Sequence, residues 1–305
     1  MMQSFMYKCF GVGFIILFGS QITFAQESDA SRQYDPNSTL AIPEYEQLYR
    51  VRVWRRIDLR EKQNKGFFAF SKELPKLILD GATSGEIDSI YYDFDLKRSI
   101  TFDEMQTNMT KEDAAEVKPY DAYVAFEYGE FVSYNGRKYM SIQSNNSGFA
   151  PDENPDMWQE DETAGVALTY ENSDIGIIEL MEDVIFDKRR STLYHDIIAL
   201  KLIIPTDRNE LGSPINIATF KYKDLEKYFR NHPNEAKWVN RYNPKEWKNF
   251  ADAYTLRLFH GPIIKYETPD DLYIHEIMPN QYEAVMEINK FEMDLMEKEH
   301  NLWEY

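Results

Sequence analysis

Ile175-Gly-Ile-Ile-Glu-Leu-Met-Glu-Asp-Val-Ile-Phe186, then Asp187-Lys-Arg-Arg190, then Tyr194-His-Asp-Ile-Ile-Ala-Leu-Lys-Leu-Ile-Ile204 before Pro205: two long runs rich in β-branched residues flank a short charged break. This pattern reads as a β-hairpin packed on one face. The first run alternates only in part, and Pro205 ends the second because proline has no N–H to give to a ladder. Ile215 to Phe220 reads as a third strand. Helices follow near 222–231, stopped by His232-Pro233, and near 245–259, stopped by Gly261-Pro262. Residues 280–303 carry Tyr282, Val285, Met286, Phe291, Leu295, Met296 and Trp303 at helical spacing, which predicts an amphipathic helix.

Upstream, Tyr45 to Lys62 is dense in apolar and basic residues. Helical and alternating periods both fit parts of it, and we read it as a helix. A helix is expected over 72–84, with Ser71 as cap, Pro75 in the first turn and Gly85 as stop. Ile87 to Phe94 reads as a strand, and Thr101-x-x-Glu104 as a capping box opening a short helix. Residues 119–160 differ in character: aromatics are dense, and Asn135-Gly136 between two strand-like runs is a strong hairpin signal. Strands and helices that do not alternate as βαβ units point to an α+β fold. It combines mixed helices and an antiparallel hairpin sheet with a small inserted all-β module.

The first 25 residues have the form of a cleavable export signal: Lys8, an apolar run from Cys9 to Phe18, and Thr23-x-Ala25 before a polar stretch. The apolar run is shorter than the ~20 residues of a membrane span. Cys9 is the only cysteine, so a chain cut after Ala25 has no disulfide and no thiolate chemistry. No membrane span is expected after cleavage. Residues 26–44, with Pro36 and Pro43, read as a flexible N-terminal arm.

With 52 acidic against 34 basic residues the formal charge is −18, which argues against binding a phosphate backbone or an anionic lipid surface. At 43% hydrophobic and 15% aromatic, the composition is that of a packed protein rather than a disordered acidic one. Reaction signatures are missing. No glycine-rich phosphate loop is present, and no serine lies in a G-x-S-x-G elbow. His275-Glu276 is not followed by a second histidine one turn on, and His195, His232, His260, His275 and His300 share no metal-ligand spacing. Carboxylates are numerous enough that chance pairs are certain, so no glycosidase pair is assigned. The expectation is a non-enzymatic chain with no cofactor and no metal.

Two basic clusters stand out from the acidic background. One holds Arg50, Arg52, Arg55, Arg56, Arg60 and Lys62 around Trp54; the other is Lys188-Arg189-Arg190. Arginine forks beside tryptophan suit a docking surface; local salt bridges to the many acids are the alternative. The candidate residues for a partner interface or a fold motif are Trp54, Arg55, Arg56, Asp58, Arg60, Glu61, Asp187, Lys188, Arg189 and Arg190.

Val53-Trp-Arg-Arg-Ile-Asp-Leu-Arg-Glu-Lys-Gln-Asn64 is similar to the signature of the GldN/PorN family of gliding motility and type IX secretion in Bacteroidetes. Asp183-Val-Ile-Phe-Asp-Lys-Arg-Arg-Ser191 with Ile197-Ile198, and the closing Glu297-Lys-Glu-His-Asn-Leu-Trp-Glu-Tyr305, resemble its later segments. The resemblance covers most of residues 45–118 and 166–305, taken as one α+β body. It implies a periplasmic protein at the inner face of the outer membrane. It further implies a ring with a GldK/PorK-like lipoprotein, self-association, contact with a GldM/PorM-like periplasmic domain, and no catalytic residues. Residues 119–160 depart from that pattern. Tyr128 to Tyr139, Asn146 to Pro151 and Trp158-Gln159 resemble small chitin-binding-type carbohydrate-binding modules, although Ser141-Ile-Gln-Ser144 stands where tandem tryptophans are usual. That resemblance makes Tyr128, Tyr134, Tyr139 and Trp158 candidate glycan contacts, and a periplasmic glycan-binding protein the alternative function. The alternative is that Tyr134, Tyr139 and Trp158 fill the core of a tiny domain.

Overall fold

The computed structural model describes residues 34–302, apart from residues 41, 113–115, 163, 166–167, 210 and 244. The export signal of residues 1–25, the first part of the arm, and Trp303 lie outside the described residues. The fold is α+β. Its centre is a six-stranded antiparallel sheet built from β1 (Gln47–Asp58), β2 (Ile90–Tyr91), β3 (Ile177–Asp187), β4 (Thr192–Ile204), β5 (Ile215–Lys221) and β6 (Ile263–Tyr266). The spatial order is β6-β1-β3-β4-β5-β2. Six helices accompany it among the described residues: α1 (Leu74–Thr83), α2 (Phe102–Asn108), α3 (Tyr222–Asn231), α4 (Phe250–Thr255), α5 (Ile274–Ile277) and α6 (Gln281–Leu302).

The segment read as a helix over 45–62 is the central strand β1. Its register sets Val51 opposite Val184, Val53 opposite Glu182, Arg55 opposite Leu180 and Ile57 opposite Ile178, which is the period of two. Partners on both sides, β3 and β6, take its backbone groups. Pairing of this kind outweighs local periodicity, because strand preference is mostly a matter of the neighbours a residue packs against. The β3–β4 hairpin agrees with the sequence reading, but its packing does not: all of Ile178–Asp187 and Asp196–Ile204 is buried, so both faces are covered. Burial on both faces is why β3 alternates only in part.

One face carries the main core. Ile57, Ile178, Leu180, Leu200, Leu202 and Phe220 pack against Leu74 and Ile78 of α1, Leu225 and Phe229 of α3, and Phe250 and Tyr254 of α4. Each such side chain contributes ~1.5–3 kcal/mol when fully buried. Farther along the same face, α6 lays Ala284, Ile288, Phe291 and Leu295 over Val53, Val184 and Ile263. Phe291 stacks on Tyr266 with ring centroids 4.3 Å apart. The opposite face is smaller and more polar: Trp54, Met181, Ile198 and Ala199 meet Phe94. The arm from Tyr34 to Thr39 lies over this face of its own sheet, with the Tyr34 hydroxyl donating to Asp196 at 2.7 Å.

Three local expectations change. Ser71 does not cap α1: it sits at φ 63°, and Glu73 takes the N-cap position with Pro75 in the first turn. The strand expected over 87–94 pairs only at Ile90 and Tyr91, on the edge of the sheet. The helix expected over 245–259 shrinks to α4, because Trp247–Asn249 pairs with Lys237–Val239. Asn249 then caps the helix by accepting from the Ala251 amide at 2.9 Å. The Thr101–Glu104 capping box is present in full at α2.

Residues 117–160 form a separate four-stranded sheet of Val117–Pro119, Phe131–Tyr134, Arg137–Ser141 and Trp158–Glu160. Asn135 (φ 51°) and Gly136 (φ 78°) turn the hairpin in the left-handed region, as Asn-Gly favours. At its base Thr110–Glu112 pairs with Leu168–Thr169, so the chain enters and leaves the module at one place.

Candidate functional site

The arginine-rich strand is the feature around which the site is built. Alternation sends its basic side chains to opposite faces of the sheet, and three of its four arginines, Arg52, Arg55 and Arg56, meet carboxylates of β3, while Arg50 lies over the Tyr34 ring. On the α6 side, Arg55 Nε donates to Glu182 Oε1 at 2.8 Å, while its Nη1 donates to Glu292 of α6 and to the Gly261 carbonyl, each at 3.0 Å. Arg257 closes on the same carboxylate at 2.7 Å, and His195 Nδ1 lies 3.3 Å from it. Glu182 is fully buried. Burial alone would raise its pKa; His195, Arg257 and Arg55 outweigh that and hold it well below the ordinary glutamate value.

On the other face, Arg52 grips Asp183 with two N–H···O bonds of 2.6 and 2.9 Å and reaches Asp35 of the arm at 3.4 Å. Arg56 grips Glu179 at 2.6 and 3.1 Å. Asp196, opposite Asp183 across β3 and β4, accepts from Tyr34, Ser38 and Thr39 of the arm. Burial pushes the Asp196 carboxyl up in spite of those donors.

Beside the arm this face opens into a groove of about 560 Å³ lined by Arg52, Trp54, Phe94, Met181, Lys265 and Tyr273. Lys265 Nζ sits 4.6 Å from the Trp54 ring and 2.7 Å from Asp271. Carboxylates Asp93, Asp95, Glu267 and Glu276 complete the rim. Burial, then Glu179 and Asp93, push the Tyr273 hydroxyl up to about 12, so it remains a hydrogen-bond donor at any physiological pH. Such a groove suits a polar or cationic segment better than an anionic one.

The remaining candidates separate. Asp58 and Arg60 pair at the end of β1 and continue to Asp207, with Glu61 exposed in the turn that follows. Asp187 is the hub of the β3–β4 turn: it accepts from the amides of Arg189 and Arg190 and from the Arg190 guanidinium at 2.7 Å. Arg189 reaches Glu46 at 3.6 Å, and Lys188 is exposed with its amide bound to the Glu46 carbonyl. The two clusters therefore belong to one strand pair but form no common patch. Sequence reading missed the acidic half. Glu179, Glu182 and Asp183 lie inside an otherwise apolar run, and a buried carboxylate demands a partner.

The glycan candidates divide by exposure. Tyr139 and Trp158 are buried, Trp158 at 2% exposure, and pack with Phe126 and Val132 as the core of the module, so they present no ring face. Tyr134 is half-buried, edge-on to Tyr120. Tyr128 alone of the four is open, at 69%.

Among the described residues, no group of histidine, cysteine and acidic side chains has the geometry of a metal site, and no helix is long and apolar enough to cross a membrane. Comparison with curated proteins returned no match. The family described as gliding motility associated protein GldN matches residues 42–304, which takes in the arginine strand, its β3 partner, the module and α6. The chain belongs to the GldN family of gliding motility associated proteins.

Proposed function

We propose that this chain is a non-catalytic structural subunit of the gliding-motility and type IX secretion apparatus in the periplasm. In this reading it joins a GldK/PorK-like outer-membrane lipoprotein in a ring and contacts the periplasmic part of a GldM/PorM-like motor-coupled protein. The observation that carries it is the family match across residues 42–304. The internal pairing of the arginine strand is consistent with it. Trp54, Arg55 and Arg56 act first as a fold motif that makes the sheet rigid, and the half-exposed Arg60 remains on the surface for a contact. Co-purification from detergent-solubilised envelopes at low and high salt tests the reading. Recovery of a lipoprotein in a large assembly supports it; a lone monomer that sediments with peptidoglycan overturns it.

A second reading, glycan binding by the inserted module, draws on its open aromatics: Tyr128, Tyr123 at 97% exposure, and Phe149. Retention on peptidoglycan or chitin that disappears in Tyr123→Ala/Tyr128→Ala favours it; no retention removes it.

A further inference from the structure

Helix α6 is apolar on two opposite sides. At 3.6 residues per turn, Ala284, Ile288, Phe291 and Leu295 form the stripe that lies on the sheet. Tyr282, Val285, Met286, Met293 and Met296 form a second stripe about half a turn away, facing solvent, in two groups on either side of the exposed Asn289. The exposures are large, at 74% for Tyr282, 64% for Met293 and 62% for Met296. From Tyr282 to Met296 the stripe runs ~21 Å at 1.5 Å per residue, four turns of helix. The helix is held firmly from behind by the Phe291–Tyr266 stack, the Arg55–Glu292 pair and Lys298 over the Tyr49 ring. The outer stripe is thus presented on a fixed element, and large exposed apolar side chains gathered along one face of such an element mark a contact surface.

We propose that the outer face of α6 docks an amphipathic helix with basic flanks, supplied by a partner protein. This rests on the assembly reading above and names the partner chemistry. Two observations choose the occupant. The stripe is linear and rich in methionine, and unbranched thioether side chains adapt to an incoming helix laid along them. Its flank carries Glu283, Glu287, Asp294 and Glu297 against two lysines, Lys290 and Lys298, the second of which is turned to the Tyr49 ring. That rim attracts lysine and arginine flanks and repels acidic ones. A second copy of α6 would set its own acidic flank against this one, on a chain already at −18, so self-pairing is the disfavoured occupant.

The test uses the full chain without its leader and a fluorescent synthetic helix with a leucine seam and lysine flanks. Two control peptides accompany it: a scramble of the same composition and a twin with glutamate flanks. The lysine-flanked helix should bind and the controls should not. Met286→Glu/Met293→Glu should weaken binding at least about tenfold, as expected when central apolar contacts are lost. Asp294→Lys/Glu297→Lys should lose the basic peptide and gain the glutamate-flanked twin. Both variants replace exposed residues and should keep the melting temperature of the parent. Equal binding of the scramble, unchanged binding by both variants, or a dimer that Met286→Glu/Met293→Glu dissociates would overturn the proposal. In cells, failure of the parent chain to enter any assembly would defeat the assembly reading itself. Normal assembly of Met286→Glu/Met293→Glu would leave that reading intact and defeat only the role of α6.

Discussion

Arg55 of β1 and Glu182 of β3 meet at 2.8 Å beneath α6, and the same arginine reaches Glu292 of that helix at 3.0 Å. One guanidinium therefore fastens three elements: two central strands and the helix that covers them. Both sheet partners are nearly withdrawn from water, with the Arg55 side chain 12% exposed and Glu182 fully buried. Removing one member of such a pair strands the other, at a cost of about 3–5 kcal/mol. Glu182→Leu should lose stability of that order in denaturant melts, because it abandons Arg55 and Arg257 together. Arg55→Met/Glu182→Leu should lose less than the sum of the two single changes, since each single change already removes the shared contact.

The same carboxylate sets an acid limit on the fold. The folded pKa of Glu182 is depressed, so its contribution is fully present above the ordinary glutamate value of ~4.3. It is lost as pH falls through the folded value. Asp58, Asp93 and Asp187 are shifted in the same direction: each is raised by burial but lowered further by the donors it accepts from, Arg60, Lys201 and Arg190 respectively. Stability measured from pH 5 down to pH 2 should fall steeply, and Glu182→Gln should flatten the limb. A limb of equal steepness in that variant would show that Glu182 is not its source.

Asp196 behaves in the opposite sense and governs the arm. Burial pushes its carboxyl up although Tyr34, Ser38 and Thr39 of the arm all donate to it. Asp196→Ala removes the acceptor of all three. The arm should then be cut by protease within residues 34–40 several-fold faster than in the parent, while the protection of β3 and β4 in hydrogen exchange is unchanged.

The hairpin of Ile175–Ile204, the third strand, α3, the capping box at Thr101 and the Asn135-Gly136 turn were legible because each is written in residues close in sequence. The central strand was not. Its arginines gain their meaning from Glu179, Glu182 and Asp183, more than a hundred residues away, and no local period records that pairing. Residues 245–259 failed for a like reason, since Trp247–Asn249 is a strand only because Lys237–Val239 lies beside it. The site was legible in its basic half alone. The groove over Trp54 draws Lys265 and Tyr273 from the far end of the chain.

Gly81 gives a prediction in which packing reverses propensity. It lies inside α1, where alanine is ordinarily favoured over glycine by about 1 kcal/mol. A methyl group there would stand 2.7 Å from Ile87 Cδ1 and 2.7 Å from Tyr228 Cζ. Forcing bulk into a filled contact costs ~1–3 kcal/mol. Gly81→Ala should therefore lower the melting temperature, and a rise would mean that Tyr228 moves aside at little cost.

The module offers a contrast between two aromatics that looked alike in sequence. Trp158 is enclosed, 5.6 Å from Phe126 and 6.0 Å from Tyr120 between ring centroids, and its indole N–H donates to the Phe149 carbonyl at 2.8 Å. Tyr128 stands in solvent. Deleting a large buried aromatic costs about 3–5 kcal/mol, which a unit with so small a core cannot absorb. Trp158→Ala should abolish hydrogen-exchange protection across residues 117–160 while β1, β3 and β4 stay protected, because the module's aromatic cluster is distinct from the sheet's and the chain passes between them through the Thr110–Glu112 and Leu168–Thr169 ribbon. Tyr128→Ala should change neither. Loss of protection in both regions after Trp158→Ala would mean instead that the module and the sheet unfold as one unit.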